Sequence, residues 1–561
     1  MKNGVLKKIG FGLIASTVLL SIAACGNKEK ESSKSASGDT ELTIYTEPAT
    51  FEGKIDGYVG KHFKEKLGVD IQVVPNNVGG TSRFETRLTT GNLGDIIVFS
   101  SEDDFDKANK AGVIEDLSDD MDKLDNVERF KDAISKMEEK NDGKIYGIPS
   151  EVSLKPEVTP TDPAHVPSLR YDYYKELGSP EIKDFWDYSK VIEEMVAKHP
   201  TTENGDKFYG ISLFSEWDGK YVNLLRNPGR AQGWVSLTDF LDVSAEGEQV
   251  QDILSDDSNY MKSLKWVNDF NQKGLLDPDS ASQTWEDYLK KAEKGQSAIW
   301  LFGYLGDLNF NPVNKDLTAQ GKGYKRIPFT NMKAADPLTS TYGNNWYYAV
   351  SSNSKHKEKA LEFLNYMYSD EGAWTFENGP QGVMWDLDDQ DKPYLTEVAQ
   401  GSWDAKIPEE QGGGVASDTY KKMVNGPTMA PGSTNPKYNS SSLYMTWDSY
   451  LKGNASTLDK EWTKDFDGAL NVKQYLKENN MLANYKAVNL SPMKYSDEQQ
   501  VVANQVGDVI KELSWQMIYA KDDATFNKIK GEMIEKAKNL GYDDCLKLEK
   551  EYAQKYFAAR K

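Results

Sequence analysis

The thiol of Cys25 is the side chain whose sequence context predicts the most definite chemistry. Lysines near the N-terminus precede an uncharged, mostly apolar stretch at residues 9–22, which is shorter than the roughly 20 residues that a bilayer-spanning helix needs. An Ala-Ala pair then leads directly into Cys25, in the order of a bacterial lipobox. We therefore expect a signal peptide over residues 1–24 and a diacylglyceryl group on the Cys25 thiol. An ordinary signal peptide followed by an incidental cysteine is the alternative.

The residues after Cys25 predict a tether and no folded element. Residues 26–39 contain no large apolar side chain, so they cannot bury enough surface to offset the loss of chain entropy. We expect residues 25–40 to connect the lipid to folded sequence that begins near residue 41. The other cysteine, Cys545, lies on a helical pattern and is expected to be a buried thiol, so no disulfide is predicted.

The sequence lacks the motifs of covalent, metal-assisted and phosphoryl-transfer catalysis. It contains no G-x-S-x-G elbow, no H-E-x-x-H zinc helix and no P-loop, and its 4 histidines are scattered. A glycoside hydrolase needs two carboxylates about 5–9.5 Å apart, and in a chain with 88 acidic residues their spacing in sequence carries no information. These observations predict a binding protein without a cofactor or metal, and leave an exported glycoside hydrolase as the less favoured alternative.

Charge and composition exclude other classes of function. The formal net charge of −21, without a basic stripe interleaved with aromatics, makes nucleic acid an unfavourable partner. No second apolar run approaches about 18 residues, so no membrane span is predicted after the signal. An aromatic content of 11% supports a large core, and the chain length of 561 residues favours two domains or lobes.

Strand-like and helix-like segments alternate along the chain. The apolar run at residues 95–99 has the length of a strand that is covered on both faces. Thr284 and Gly295 are expected to bound a helix, after which residues 297–304 return as a strand. From residue 500 onward the apolar spacing is helical. This alternation predicts an α/β fold with largely parallel sheets.

Several sequence segments between residues 88 and 557 resemble segments of a known family and occur in the same order as in that family. They lie at residues 88–99 (LTTGNLGDIIVF), 142–151 (DGKIYGIPSE), 170–195, 271–300, 350–387 and 515–557. Behind a lipobox, this series is similar to extracellular solute-binding protein family 1, in particular to the long sugar-binding lipoproteins of bacterial ABC importers. The resemblance implies a two-lobe periplasmic-binding-protein-like fold with discontinuous lobes, a central ligand cleft and a helical C-terminal region.

The resemblance also implies lobe limits and a function. Lobe 1 is expected to comprise residues 41–155 with about 327–430, and lobe 2 about 156–326 with 431–561. The expected function is capture of an extracellular carbohydrate, an oligosaccharide, and its delivery to the permease subunits of an ABC transporter. The expected protein is a monomer, lipid-anchored at the extracellular face of the cytoplasmic membrane of a Gram-positive bacterium. A receptor for a non-sugar solute such as a peptide is the alternative.

A sugar-binding cleft of this kind needs aromatic rings for the C–H faces of the sugar and polar side chains for its hydroxyls. Ligands of such folds bind at the carboxyl ends of strands, so suitable side chains at the ends of the predicted strands are the candidates. The candidate ligand-binding residues are Tyr45, Glu47, Ser100, Ser101, Glu151, Glu216, Trp217, Asp218, Tyr304, Asn345, Trp346 and Trp447. Trp300 and Phe302 alternate on one strand and are expected to pack in the core.

Further motifs have structural interpretations. Some long members of the family carry a calcium-type loop, but residues 198–210 lack the alternating oxygen ligands that calcium prefers, so no intact metal site is predicted. Arg170 and Asp172 resemble an Arg-x-Asp pair of the family and are expected to form a structural ion pair. Residues 386–397 are expected to form a polar hairpin turn.

Overall fold

The structure is a computed structural model, and it describes residues 40–78, 81–401, 405–422 and 426–561. The predicted signal peptide, Cys25 and most of the tether lie outside the described residues. Within those ranges, none of the helices combines the length and the apolar character that crossing a membrane requires.

The first lobe is built on a mixed sheet. Its strands, in spatial order, are Gly53–Lys54, Val69–Pro75, Thr40–Thr46, Ile96–Phe99, Tyr347–Val350 and Ile148–Pro149. Thr40–Thr46 pairs in parallel with both of its neighbours, whereas Tyr347–Val350 runs antiparallel to both of its own. The helices around this sheet are Gly57–Leu67, Phe84–Thr90, Glu102–Lys110, Lys131–Lys140, Lys357–Met367 and Asp370–Asn378.

The strand Ile96–Phe99 is covered on both faces, as its continuous apolar run predicts. Ile96 and Val98 belong to one buried cluster, and Ile97 and Phe99 belong to another. Side chains of a strand alternate between its two faces, so a strand packed on both sides must be apolar at every position.

The second lobe has a smaller sheet and most of the helices. The strands of this sheet, in spatial order, are Tyr324–Arg326, Ser168–Arg170, Ser297–Trp300 and Tyr209–Ile211. A separate antiparallel sheet comprises Trp234–Ser236, Leu241–Ser244 and Val250–Asp252. The main helices are Tyr171–Glu176, Tyr188–Lys198, Asn259–Gln272, Trp285–Glu293, Asp497–Ile518, Asp523–Leu540 and Tyr542–Arg560.

The two lobes have separate apolar cores, to which distant parts of the chain contribute. The first core draws its buried residues from Leu42 to Val152 and again from Tyr348 to Trp447. The second core draws them from Val166 to Ala334 and again from Leu458 to Phe557. Tyr438 and Trp447 therefore pack in the first core. The chain crosses between the lobes near residues 153–165, 335–346 and 448–457.

Neighbouring crossing segments are hydrogen-bonded to each other. The Ser153 backbone N–H donates to the Ser340 carbonyl at 3.0 Å, and the Thr339 N–H donates to the Glu157 carbonyl at 3.0 Å. The Leu338 N–H then donates to the carbonyl of Tyr485 at 2.9 Å. Short, paired connections of this kind can act as a hinge while each lobe keeps its own core.

The C-terminal helix Tyr542–Arg560 is fixed by a buried carboxylate. Glu549 is fully buried, and its Oε2 accepts hydrogen bonds from the Phe240 N–H at 2.9 Å and the Thr238 hydroxyl at 2.7 Å. Its Oε1 accepts one from the Tyr495 hydroxyl at 2.6 Å. Burial is the main cause that raises the pKa of Glu549 from 4.5 to about 7, against the opposing effect of these hydrogen bonds.

This raised pKa predicts a pH-dependent stability. The folded protein keeps the Glu549 proton up to about pH 7, whereas the unfolded chain releases it near 4.5, so the contribution to stability is lost as the pH rises through 7. From about pH 8 to about pH 5 we expect this group alone to raise the free energy of unfolding by about 2 kcal/mol. Glu549→Gln should flatten that rise in urea unfolding, whereas Glu551→Gln, at an exposed position of the same helix, should preserve it. An unchanged slope in Glu549→Gln would contradict the assignment.

Candidate functional site

One edge of the first-lobe sheet faces the crossing segments. Thr46 pairs with Val98, so the ends of these parallel strands lie side by side. Tyr347 pairs with both Phe99 and Pro149, which places the start of its antiparallel strand at the same edge. The chain leaves the lobe just after Pro149 and returns just before Tyr347. This edge is therefore the one that adjoins the second lobe.

Glu47, Ser100 and Ser101 come together at this edge. Glu47 Oε2 accepts hydrogen bonds from the backbone N–H groups of Ser100 at 2.7 Å and Ser101 at 3.0 Å. Its other oxygen, Oε1, is buried and has no hydrogen-bond partner within the described part of the chain. Burial is the main cause that raises the pKa of the Glu47 carboxyl to about 7. Near neutral pH this group can therefore either donate or accept a hydrogen bond.

Glu151, Asn345 and Trp346 lie along the same edge, with a lysine that the sequence analysis missed. Glu151 has a left-handed backbone (φ 53°), and burial raises the pKa of its carboxyl. The Lys136 Nζ donates to the Asn345 Oδ1 at 3.0 Å, and burial lowers the pKa of this ammonium group to about 8. Trp346 is half-buried. Lys136 gave no signal in the sequence because it lies within helix Lys131–Lys140 and not at the end of a predicted strand.

The second lobe also presents strand ends towards the crossing segments. Tyr209–Ile211 and Ser297–Trp300 are parallel, so their carboxyl ends lie at one edge. Trp300 pairs with Ser168, which directly follows a crossing segment. Just beyond the strand, the Gly303 N–H donates to the Ala164 carbonyl at 2.9 Å. The loops that follow both strands therefore lie beside the connection to the first lobe.

Aromatic rings from three segments meet at this second edge. We call Trp217, Trp285, Phe302 and Tyr304 the aromatic platform. Trp217 stacks on Trp285 with ring centroids 4.4 Å apart and planes at 21°. Phe302 stacks on Tyr304 at 5.3 Å and 25°, and both lie 6.4 Å from the Trp285 ring. Trp217 is 45% exposed, so the platform offers accessible apolar surface.

Glu216 positions the platform. Its Oε2 accepts a hydrogen bond from the backbone N–H of Trp285 at 2.6 Å, at the first turn of helix Trp285–Glu293. A carboxylate at a helix N-terminus is favoured because it accepts from N–H groups that lack a partner within the helix. The bond joins the loop that carries Trp217 to the helix that carries Trp285.

Two platform residues were missed by sequence reasoning. For Trp285 the sequence predicts only a position in a helix. Phe302 was expected in the core, on a strand predicted to extend to Tyr304, whereas the strand ends at Trp300. Trp300 is fully buried, and Phe302 and Tyr304 are half-buried in the segment that follows. Gly303, between Phe302 and Tyr304, was the available signal that the strand could end earlier.

The remaining predicted site residues make contacts within their own lobes. Tyr45 is fully buried, and its hydroxyl donates to Asn76 Oδ1 at 2.8 Å. Asp218 accepts from the Asn223 N–H and from the Trp515 indole N–H, each at 2.8 Å, and burial raises its pKa to about 6. Trp447 is 4% exposed and stacks on a tryptophan of the first core. A role in ligand binding stays a prediction for these three.

Metal-ligating side chains do not cluster in the described residues: no group of three or more His, Cys, Asp or Glu is placed to hold an ion. In the loop at residues 198–210, the carboxylate of Glu203 accepts a hydrogen bond from Arg170. Arg170 also donates to Asp172. The expected Arg170–Asp172 ion pair is present, with Nε donating to Oδ1 at 2.7 Å.

The fold, in which each lobe has a strand-end edge beside the crossing segments, defines a class of protein. A chain with two α/β lobes, paired crossing segments and a C-terminal helical region is a two-lobe binding protein of the periplasmic type. Residues 45–374 match the family described as bacterial extracellular solute-binding protein. This match covers more than half of the chain, so the chain belongs to that family.

Comparisons with individual proteins agree with this assignment. A fructooligosaccharide ABC transporter substrate-binding protein, FusA of Streptococcus pneumoniae, is 24% identical over 350 residues, which are 58% of this chain and 61% of FusA. The solved structure of FusA in complex with kestose superposes with a TM-score of 0.55 at 18% identity, covering 92% of this chain and 100% of FusA.

A solute-binding protein from Bifidobacterium longum infantis, associated with an ABC transporter and described as binding HMO, gives a TM-score of 0.56 at 14% identity, over 93% of this chain and 100% of that one. At such low identity these structural matches show the shared fold.

Proposed function

We propose that this protein is a non-catalytic receptor that captures an oligosaccharide between its lobes and delivers it to an ABC importer. The observation that carries the proposal is the aromatic platform on one strand-end edge, together with the polar groups on the edge of the other lobe. The C–H faces of a sugar stack on aromatic rings, and its hydroxyls pair with carboxylates, amides and ammonium groups. A ligand with both features would contact both lobes at once.

Closure of the lobes follows from such two-sided contact. A ligand that binds both edges favours the closed arrangement by the free energy of the contacts made only there. Polar groups of the first lobe that could take part are Glu47, whose Oε1 has no partner among the described residues, Glu151 and Asn345. The permease can then distinguish a loaded receptor from an empty one by the arrangement of the lobes.

The names of the relatives support a carbohydrate as the ligand. FusA is described as binding fructooligosaccharide, and the Bifidobacterium protein as binding HMO. This chain spans 61% of the length of FusA, so the identity of its own sugar is a matter for experiment. We further propose that the protein acts as a monomer at the extracellular face of the cytoplasmic membrane.

A ligand screen tests the proposal. Purified protein would be examined by calorimetry and thermal shift against neutral oligosaccharides, sugar acids and peptides. A carbohydrate present at 100 times its dissociation constant should raise the free energy of unfolding by about 2.7 kcal/mol. Chromatography of the same mixtures should recover each sugar intact. Hydrolysis of any sugar would contradict the non-catalytic role, and stabilisation by peptides alone would contradict carbohydrate capture.

We also propose that Cys25 carries the lipid anchor, on the strength of its lipobox. The two acyl chains of a diacylglyceryl group meet the requirement for stable membrane attachment, which a single chain does not. Cys25→Ser is expected to release the protein from membranes into the medium, measured by fractionation and immunoblotting. The affinity of the released protein for its ligand should match that of the parent. Membrane retention of Cys25→Ser would contradict the anchor.

A further inference from the structure

A cavity of about 420 Å³ lies in the second lobe beside the crossing segments. We call it the hinge pocket. Its lining includes Thr159, Ala164, His165, Arg230, Trp234 and Tyr485.

The hinge pocket adjoins the aromatic platform. Ala164, in its wall, accepts the backbone hydrogen bond of Gly303, which lies between the platform residues Phe302 and Tyr304. The Asn227 Nδ2 also donates to the Leu301 carbonyl at 3.2 Å, and Arg230, which lines the pocket, ends the short helix that contains Asn227. The segment that carries Phe302 and Tyr304 therefore lies directly beside the wall of the hinge pocket.

Arg230 is a cation that pairs with no carboxylate of the described chain. Within the described residues, its guanidinium makes one long hydrogen bond, to Asn227 Oδ1 at 3.4 Å, and no ion pair. By contrast, Arg170 and Arg326 each pair with carboxylates of their own lobe. Arg230 is half-buried and lines the hinge pocket, where no carboxylate of the described residues pairs with it.

His165 adds a second donor. Its Nε2 is buried and has no hydrogen-bond partner in the part of the chain that the structure describes. Burial of the ring, reinforced by the nearby cations Arg230, Arg326 and Lys473, lowers the pKa of His165 to about 3. The imidazole is therefore neutral at physiological pH, and in the tautomer with the proton on Nε2 this N–H has no acceptor among the described residues.

The acidic residue of the pocket is already neutralised. Asp336 lines the cavity, but its carboxylate forms a buried ion pair with Lys473. The two charges cancel, so the positive charge of Arg230 is uncompensated. A buried or half-buried cation of this kind is a ready partner for an anionic group, because charge-assisted hydrogen bonds are about twice as strong as neutral ones.

We propose that the hinge pocket binds the carboxylate of an acidic sugar residue, with Arg230 and the Nε2–H of His165 as donors, while a neighbouring sugar ring stacks on the aromatic platform. This inference rests on the proposed function and adds the substrate class: oligosaccharides that contain a uronic acid or a similar sugar acid. Arg230 supplies the charge, and the planar guanidinium matches the geometry of a carboxylate.

Titration with D-glucuronate, with D-glucose as the neutral probe, tests the inference. Glucuronate should raise the thermal midpoint and shift the imidazole NMR signals of His165, assigned with His165→Asn, whereas glucose should do neither at the same concentration. Arg230→Gln should weaken the glucuronate response at least about tenfold, the order expected for one charge-assisted bond. Arg560→Gln, which removes an arginine of the same lobe that bonds only to backbone carbonyls, should keep it.

Each other outcome overturns the inference. Equal responses to the two sugars, a glucuronate response that survives Arg230→Gln, or no response at the highest soluble concentration would each do so. A response to inorganic phosphate without one to glucuronate would show an anion site that is not a sugar-acid site. If the parent shows no preference for sugar acids and Arg230→Gln still binds a neutral oligosaccharide, the sugar-acid inference is overturned. The proposed function survives that result. The proposed function fails only if no carbohydrate binds.

Discussion

Replacing Trp217 by alanine is expected to weaken binding of the carbohydrate ligand about 30-fold. An aromatic ring at the centre of a binding surface typically contributes about 2 kcal/mol or more, and each 1.4 kcal/mol is a factor of ten in affinity. Trp285→Ala should have an effect of the same size. Because the two rings stack on each other at 4.4 Å, the double variant should lose less than the product of the single effects.

Calorimetry with the sugar identified in the ligand screen measures these affinities. Trp217 is 45% exposed, so its removal should leave the thermal midpoint almost unchanged and separate binding from folding. Tyr394→Ala provides the matched control, because this tyrosine is 37% exposed on the hairpin of the first lobe, away from the platform residues. Affinity within twofold of the parent in both tryptophan variants would exclude the platform as the sugar-binding surface.

Arg170→Ala is expected to lower the free energy of unfolding of the second lobe by about 3–5 kcal/mol, the range for removing one partner of a buried ion pair. The Arg170 side chain is fully buried. It donates to Asp172 at 2.7 Å and to Glu203 at 3.2 Å, and its guanidinium lies 4.3 Å from the centroid of the Tyr173 ring. Alanine would leave both carboxylates close together without a counter-ion and would open a cavity in the core.

Urea unfolding, followed by both circular dichroism and tryptophan fluorescence, measures this effect. Coincidence of the two signals tests whether a single transition describes the protein. Lys131→Ala is the control, because it breaks an exposed ion pair with Glu128 (2.8 Å), for which a loss below about 1 kcal/mol is expected. An Arg170→Ala protein as stable as Lys131→Ala would show that the buried network does not hold the lobe together.

Local features of the fold could be predicted from the sequence because they depend on neighbours in the chain. The hydroxyl of Thr284 caps helix Trp285–Glu293 by accepting from the Asp287 N–H, three residues ahead. Gly295 adopts the left-handed conformation (φ 69°) that ends the segment. The hairpin of Trp385–Leu387 and Pro393–Leu395 follows from a polar turn between two short strands. The order of the family-like sequence segments along the chain likewise identified the family.

The candidate site depended on contacts between distant residues. Trp217, Trp285 and Phe302 meet because two parallel strands end at one edge, a consequence of the pairing of Ile299 with Ile211. Nothing near Trp285 in sequence distinguishes it from an ordinary helix residue. Conversely, Tyr45 and Trp447 carry suitable side chains near strand and loop ends, but the structure buries both in the first lobe.

The sequence by itself determined the binding-protein family and the α/β alternation, because caps, periodicity and motifs act over a few residues. The tertiary structure decided which aromatic rings form one surface and which ions lack a partner. Arg170 pairs with Glu203, which is 33 residues away in the sequence, whereas Arg230 pairs with no carboxylate within the described chain. A charged or aromatic side chain stabilises the fold if packing places partners around it, and remains available to a ligand if packing does not. These partners are set by the register in which distant strands pair.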